Sequence, residues 1–218
     1  MRVVTGEAKG RKLKTPKTVG TRPIMDRVKT ALFDILSTQV EDAHFLDLFA
    51  GTGSVGIEAL SRGAQHATFI EMNTKILKLV RENLQITQLA NRAETLHSDA
   101  FKFLQAHQVL QTSQNHVSAL SSVIDQRRIY NIIYVAPPQY EELAARALVL
   151  IDSSTLVAKD GLVIVQIHPK ERSGIAAVQC QHLVLADERR YGSTLLMFYR
   201  HQIGHQIGHQ IEGGDRDE

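Results

Sequence analysis

Leu46-Asp47-Leu48-Phe49-Ala50-Gly51-Thr52-Gly53-Ser54-Val55-Gly56 decides the fold. Its first half completes a short apolar run, Phe45 to Phe49, of the kind a buried strand makes. Its second half is a glycine turn in which Gly51, Gly53 and Gly56 satisfy G-x-G-x-x-G. Val55 to Arg62 then carries helical apolar spacing that Gly63 can stop. Such glycines let the backbone approach a ligand closely, and a helix N-terminus offers unpaired N–H groups. The next apolar run, Thr68 to Glu71, ends in a carboxylate 20 residues beyond Gly51. A carboxylate in that place can accept hydrogen bonds from both hydroxyls of a ribose.

The same alternation continues outward. A helix is expected from Asp26, with Asp26 as N-cap and Val28, Leu32, Ile35 and Leu36 on one face. A second follows from Thr74 to Gln88, with Ile76, Leu77, Val80 and Leu84 inward. Strands are expected at Ala93–His97, Tyr130–Val135 and Leu162–Ile167, with helices at Ala100–His107 and from Glu141. A last strand pair lies around Val184 and Leu195–Phe198, with Gly192 at the turn, and Cys180 is expected partly buried in a strand. Strand–helix alternation of this kind argues for an α/β, Rossmann-like fold: a mostly parallel central sheet covered by helices on both faces. The domain plan is a basic N-terminal hairpin extension (1–25), a cofactor-binding domain (26–200) interrupted by a polar insertion (105–128), and a low-complexity tail (201–218).

Composition narrows the function classes. The chain has 218 residues, 43% apolar and 22% charged, enough for a sizeable core and too apolar for wholesale disorder. No run approaches the roughly 18 apolar residues that span a bilayer, and the polar, basic first residues do not resemble a secretory signal. A single cysteine excludes an intrachain disulfide and a cysteine-based zinc site, and a reducing, cytoplasmic setting is expected. The net charge of +2 is unevenly spread: residues 1–29 hold nine basic residues against Glu7 and Asp26. That arm suits a polyanionic partner, although a solvated charged end has the same composition. In the tail, His201, His205 and His209 have helical spacing, but Gly204 and Gly208 oppose a helix, so no metal site is expected.

Two cofactors compete for the glycine loop. A dinucleotide would place its pyrophosphate on the helix N-terminus, where Asp47 would repel it. S-adenosyl-L-methionine brings cationic groups that Asp47 would attract, and Asp99 could accept from an adenine amino group. Each aspartate also has a plain structural alternative, capping the helix that follows it.

The chain resembles the RsmD-type 16S rRNA (guanine-N2)-methyltransferase family, which is S-adenosylmethionine-dependent. The resemblance rests on Arg2-Val3-Val4-Thr5-Gly6 through Gly10-Arg11-Lys12-Leu13, and on Arg22-Pro23 with Asp26-Arg27-Val28-Lys29 and Ala31-Leu32-Phe33. It continues through Leu46–Gly53, Glu58–Ala64 and Ile70-Glu71, then Ser98-Asp99-Ala100 and Tyr191-Gly192-Ser193-Thr194. It implies that Asp47, Gly51 and Gly53 line the methionine half of the cofactor, Glu71 its ribose, and Asp99 with Ala100 its adenine, with Phe49 also in the cofactor site. It also implies that Arg2, Lys9, Arg11, Lys12, Arg22, Arg27 and Lys29 face RNA.

The family's [Asp/Asn]-Pro-Pro-[Phe/Tyr] loop is here Ala136-Pro137-Pro138-Gln139-Tyr140. Acceptors aimed at the N–H bonds of a guanine amino group would stabilise the positive charge that forms on methyl transfer. Pro137 keeps its carbonyl for that purpose, Gln139 offers an amide, and Tyr140 offers an aromatic face for the base. Ala136 offers no side-chain acceptor.

The expected function is therefore N2-methylation of a guanine in small-subunit rRNA, within a ribosomal particle, by a monomer without a metal or a membrane contact. A catalytically impaired RNA-binding or ribosome-assembly protein is the alternative, and a nicotinamide-dependent oxidoreductase the third possibility.

Overall fold

The computed structural model describes residues 1–16, 24–108, 128–139 and 142–202. Seven strands form one sheet: β1 (His44–Asp47), β2 (His66–Glu71), β3 (Ala93–His97), β4 (Tyr130–Val135), β5 (Val157–Ile167), β6 (Leu183–Tyr191) and β7 (Thr194–His201). Their order is β3-β2-β1-β4-β5-β7-β6. The first five are parallel, and β7 runs antiparallel between β5 and β6. The helices are α1 (Asp26–Leu36), α2 (Ser54–Ser61), α3 (Thr74–Thr87), α4 (Ala100–Gln105), α5 (Leu143–Asp152) and α6 (Arg172–Ala176).

Strand alternation divides the core in two. Phe45, Phe69, Ile132, Tyr134, Ile164 and Phe198 face a cluster completed by α1, α2 and α3. Leu46, Ile70, Ile133, Val135, Val163 and Met197 face the opposite cluster, completed by α4, α5 and α6. A sheet buried on both faces explains why β4 is almost continuously apolar. Its one exposed residue, Asn131, accepts a hydrogen bond from the His44 amide at 2.9 Å. The connection from β3 to β4 crosses back over β1, so the topological switch point lies between β1 and β4.

Several expectations need correction. Asp26 is not the N-cap of α1: Met25 holds that position without a side-chain bond, and Asp26 pairs instead with Arg2 at 3.3 Å. β5 starts at Val157, earlier than the apolar run indicates, because its polar first residues extend the pairing past an irregularity opposite Tyr130. The short α6 had no periodic signature. Cys180 lies in the loop before β6, half-buried, and burial pushes its thiol up to about 11. Residues 109–127 of the expected insertion and 203–218 of the tail lie outside the described residues.

The basic extension folds back on itself as expected, but with a single bridge pair, Arg2 with Lys12, in place of regular strands. Val3 N–H donates to Arg11 O at 3.0 Å and Leu13 N–H to Met1 O at 3.0 Å. Val3, Ala8 and Leu13 are buried in the same cluster as α1 and α2, so the arm is packed into the domain. Among the described residues, no helix is long and apolar enough to cross a membrane.

Candidate cofactor and nucleic-acid site

Asp47 ends β1, Glu71 ends β2, Asp99 follows β3 and Ala136 follows β4, so parallel strands bring all four to one edge of the sheet. Ligands of open α/β sheets bind at that edge, beside the switch point. The glycine loop turns there from β1 into α2, with Gly53 in the left-handed region (φ 76°) at the helix N-cap. Gly56 permits close packing: a Cβ there would stand 2.4 Å from Cε1 of Phe69 on β2.

Asp47 is buried, and its Oδ2 accepts from Gly56 N–H at 3.1 Å. Its expected structural role, bracing α2, is thus present. Its Oδ1 accepts no hydrogen bond among the described residues. Burial pushes the carboxyl up to about 7, against the Gly56 N–H, and the charge of Glu71 adds to the rise. A cation beside such a group would favour its ionised form.

Glu71 fixes the loop from the other side: Oε2 accepts from Gly51 N–H at 3.0 Å and Oε1 from Asn73 N–H at 2.7 Å. Each oxygen keeps a lone pair for a hydroxyl. Phe49 is half-buried and meets Phe101 edge-on, ring centroids 5.9 Å apart, with the Arg146 guanidinium 4.0 Å over Phe101. Asp99 caps α4 by accepting from Lys102 N–H at 3.0 Å, and Ala100 is buried behind it. Met72, directly after Glu71, is 67% exposed and leaves a large apolar side chain at the same edge. Its place after Glu71 was the only signal for it.

The loop after β4 has Ala136 half-exposed against the α1–α2 cluster, Pro137 buried, Pro138 exposed and Gln139 half-buried. Tyr140 lies outside the described residues, as does Arg22 of the basic arm.

Lys29 requires a correction. It does not face solvent: its Nζ lies 3.1 Å from Glu58 Oε2 with neither side chain exposed, and it donates to Arg2 O at 2.8 Å. Glu58 also accepts from Val4 N–H, Thr5 N–H and Arg62 Nε–H at 2.8, 2.9 and 3.1 Å. The ammonium is spent on holding the arm. Arg11 is also partly committed, donating to Ile86 O at 2.7 Å and to Gln88 at 3.0 Å. Lys9, Lys12 and Arg27 are exposed, as is Arg2 beside Asp26.

Asn83 was not singled out by its position in the sequence. It is fully buried on α3, accepts from Lys14 N–H at 2.7 Å, and donates to Lys14 O at 3.1 Å and Thr52 O at 3.0 Å. One amide thus joins the arm to the glycine loop. A separate open cleft lined by Thr5, Phe33, Asp34, Arg62 and Arg92 lies at the far end of α2, away from this edge.

The donor set fits S-adenosyl-L-methionine better than a dinucleotide. Asp47 has an oxygen for an ammonium, Glu71 has acceptors for two hydroxyls, and the two carboxylates flank the loop where a pyrophosphate would sit. Among the described residues, no group of three or more ligating side chains could hold a metal ion.

Sheet order, glycine loop and edge carboxylates together define a Rossmann-like, class I methyltransferase architecture. The family model described as Conserved hypothetical protein 95 matches residues 1–114 and 103–200. Ribosomal RNA small subunit methyltransferase D of Escherichia coli K12 is 34% identical over 166 residues, covering 76% of this chain and 74% of that one. YlbH of Bacillus subtilis is 32% identical over 200 residues, covering 92% and 98%. The solved structure of yhhF from Escherichia coli superposes with a TM-score of 0.73 at 30% identity, covering 93% of this chain and 98% of that one. The chain belongs to the Conserved hypothetical protein 95 family, with the RsmD-type rRNA methyltransferases among its relatives.

Proposed function

We propose that this protein is an S-adenosyl-L-methionine-dependent rRNA methyltransferase that modifies the N2 amino group of a guanine in the small subunit. The observation that carries this reading is the pair Asp47 and Glu71, set on either side of the glycine loop at the switch point. The cofactor supplies an electrophilic methyl group on a cationic sulfur. Asp47 would hold its ammonium end, Gly51 and Gly53 would leave room for its backbone, and Glu71 would take the ribose hydroxyls. Asp99, Ala100 and the exposed Met72 would bound the adenine.

The reacting guanine would lie over the loop Ala136–Tyr140. The guanine N2 would take the methyl group that the cofactor supplies and would then release a proton to water. No covalent enzyme intermediate is needed, so positioning and aimed acceptors carry the rate. Pro137 O would be one such acceptor, and Tyr140 would stack on the base. Arg2, Lys9, Lys12, Arg22 and Arg27 would meet RNA phosphates, with Arg11 contributing less because its guanidinium is partly committed. The protein would work as a monomer, in the cytoplasm, on rRNA already held in a ribosomal particle.

Calorimetry tests the cofactor directly. S-adenosylhomocysteine is expected to bind at micromolar concentration and to lose at least about tenfold in affinity in Asp47→Ala, the order expected for losing a charge-assisted hydrogen bond. Tighter binding of NADH would overturn the assignment.

A further inference from the structure

The missing acceptor at Ala136 has a neighbour that can replace it. β4 and β5 pair in parallel with Tyr134 opposite Ile164 and Val135 opposite Val165. Ala136, the first residue after β4, and Gln166 of β5 come next, so the register brings both to the edge where the cofactor residues gather. Alternation places Gln166 on the same face as Ile164, Tyr134 and Ala136, which share one apolar cluster. Gln166 is half-exposed between the buried Val165 and Ile167.

This amide is also held. Tyr134 Oη on β4 donates to Gln166 Oε1 on β5 at 2.6 Å. Tyr134 is buried, and burial together with the nearby Asp47 raises its hydroxyl well above the ordinary range, so it stays a donor. A carbonyl oxygen accepts two hydrogen bonds, so Oε1 keeps a second lone pair. Among the described residues, the amide nitrogen of Gln166 donates to no partner.

A carboxamide presents an acceptor and a donor side by side in one plane. The sugar edge of guanine presents the complement, the N2–H donor beside the N3 acceptor; adenine has no amino group there. We propose that Gln166, oriented by Tyr134, supplies the acceptor that Ala136 lacks and selects guanine by a paired contact, Oε1 from N2–H and Nε2–H to N3. This proposal rests on the guanine-N2 reading above. Gln166 is neutral throughout: it orients the amino group and stabilises the charge forming on it, while the proton goes to water.

The test uses the full chain, labelled S-adenosyl-L-methionine and undermethylated small-subunit particles. Gln166→Leu is expected to lower kcat on the order of 100-fold, as for removal of one aimed hydrogen-bonding group, without weakening S-adenosylhomocysteine binding. Adding Ala136→Asn in that background is expected to recover about tenfold or more, because it returns an acceptor from the adjacent strand. Gln166→Leu turnover within threefold of wild type overturns the proposal, and so does failure of Ala136→Asn to rescue a variant that still binds cofactor.

A second readout needs no turnover. A single-stranded RNA containing one guanine is compared with its inosine twin, which lacks only the amino group. Wild type is expected to prefer guanine and Gln166→Leu to lose the preference; equal preference in both proteins overturns the role of Gln166. A wild type that makes no N2-methylguanosine refutes the functional reading itself, a separate result.

Discussion

Lys29 and Glu58 form an ion pair 3.1 Å apart with no exposure of either side chain, and the pair is closed by the backbone of the N-terminal arm. Arg2 O accepts from the lysine, while Val4 and Thr5 N–H donate to the glutamate. Lysine and glutamate are rarely fully buried without such partners. Here the charges fix the arm against α2, so the cations near its start occupy set positions rather than lying on a loose tail.

Removing Lys29 leaves buried Glu58 with Arg62, on its other carboxylate oxygen, as its remaining cation. Lys29→Met is expected to cost about 3–5 kcal/mol, read as a lower urea midpoint with an unchanged slope. Arg27→Ala, on the exposed side of α1, should stay within about 0.5 kcal/mol of wild type. RNA binding should respond in the opposite sense. Lys12→Ala or Arg27→Ala is expected to reduce the salt dependence of RNA affinity by about 0.7–0.9 per lost phosphate contact. Folded Lys29→Met should keep the wild-type slope.

Asp47 imposes a pH dependence whose sign is fixed by its burial. Its folded pKa of about 7 lies above its ordinary 3.8. Between those values the folded protein keeps a proton that the unfolded chain has lost, so this group lowers stability as pH rises across the window. Asp47→Asn is expected to remove that fall, making the variant more stable than wild type at pH 8 by about 1 kcal/mol or more. Urea titrations at pH 5 and pH 8 read the difference. Cofactor binding should run the other way. Affinity for S-adenosylhomocysteine should strengthen by up to tenfold per pH unit below about 7 and level off above it, and Asp47→Asn should flatten the profile.

Asn83 makes three amide hydrogen bonds, two with the arm and one with the glycine loop. Asn83→Ala leaves Lys14 N–H, Lys14 O and Thr52 O without that partner, with an expected cost of about 2 kcal/mol. Hydrogen exchange gives a finer check. Saturating S-adenosylhomocysteine should slow exchange at the Lys14 amide in wild type, although Lys14 is on the arm, and the effect should vanish in Asn83→Ala.

Gly56 tests the packing under the loop. A methyl group there would meet the Phe69 ring at 2.4 Å, far inside contact distance. Gly56→Ala is expected to destabilise by about 1–3 kcal/mol and to weaken cofactor binding, because α2 must shift relative to Asp47. Differential scanning calorimetry with and without S-adenosylhomocysteine checks both.

The fold was legible because its signals are local. Apolar runs, Gly51–Gly53 and the carboxylates at strand ends repeat along the chain at the spacing a parallel sheet requires. The placement of the candidate site residues was legible to the same depth: Asp47, Glu71 and Asp99 sit at strand ends, which composition and order reveal. What stayed hidden depends on pairing across distance. Lys29 looks like any cation in a basic segment until Glu58 and the Arg2 carbonyl surround it. Asn83 looks like a surface residue of α3 until Lys14 and Thr52 approach, and Asp26 looks like a cap until Arg2 engages it. That Gln166 reaches the same edge as Ala136 emerges only when the β4–β5 register is known.

The most direct measurement is the product nucleoside. Undermethylated small-subunit particles and their naked rRNA are incubated with the protein and methyl-labelled S-adenosyl-L-methionine, then digested to nucleosides and mapped. Label in N2-methylguanosine at a single position, greater with particles than with naked rRNA, is the expected result. Label in another nucleoside, or no transfer by a protein that binds the cofactor, would contradict it.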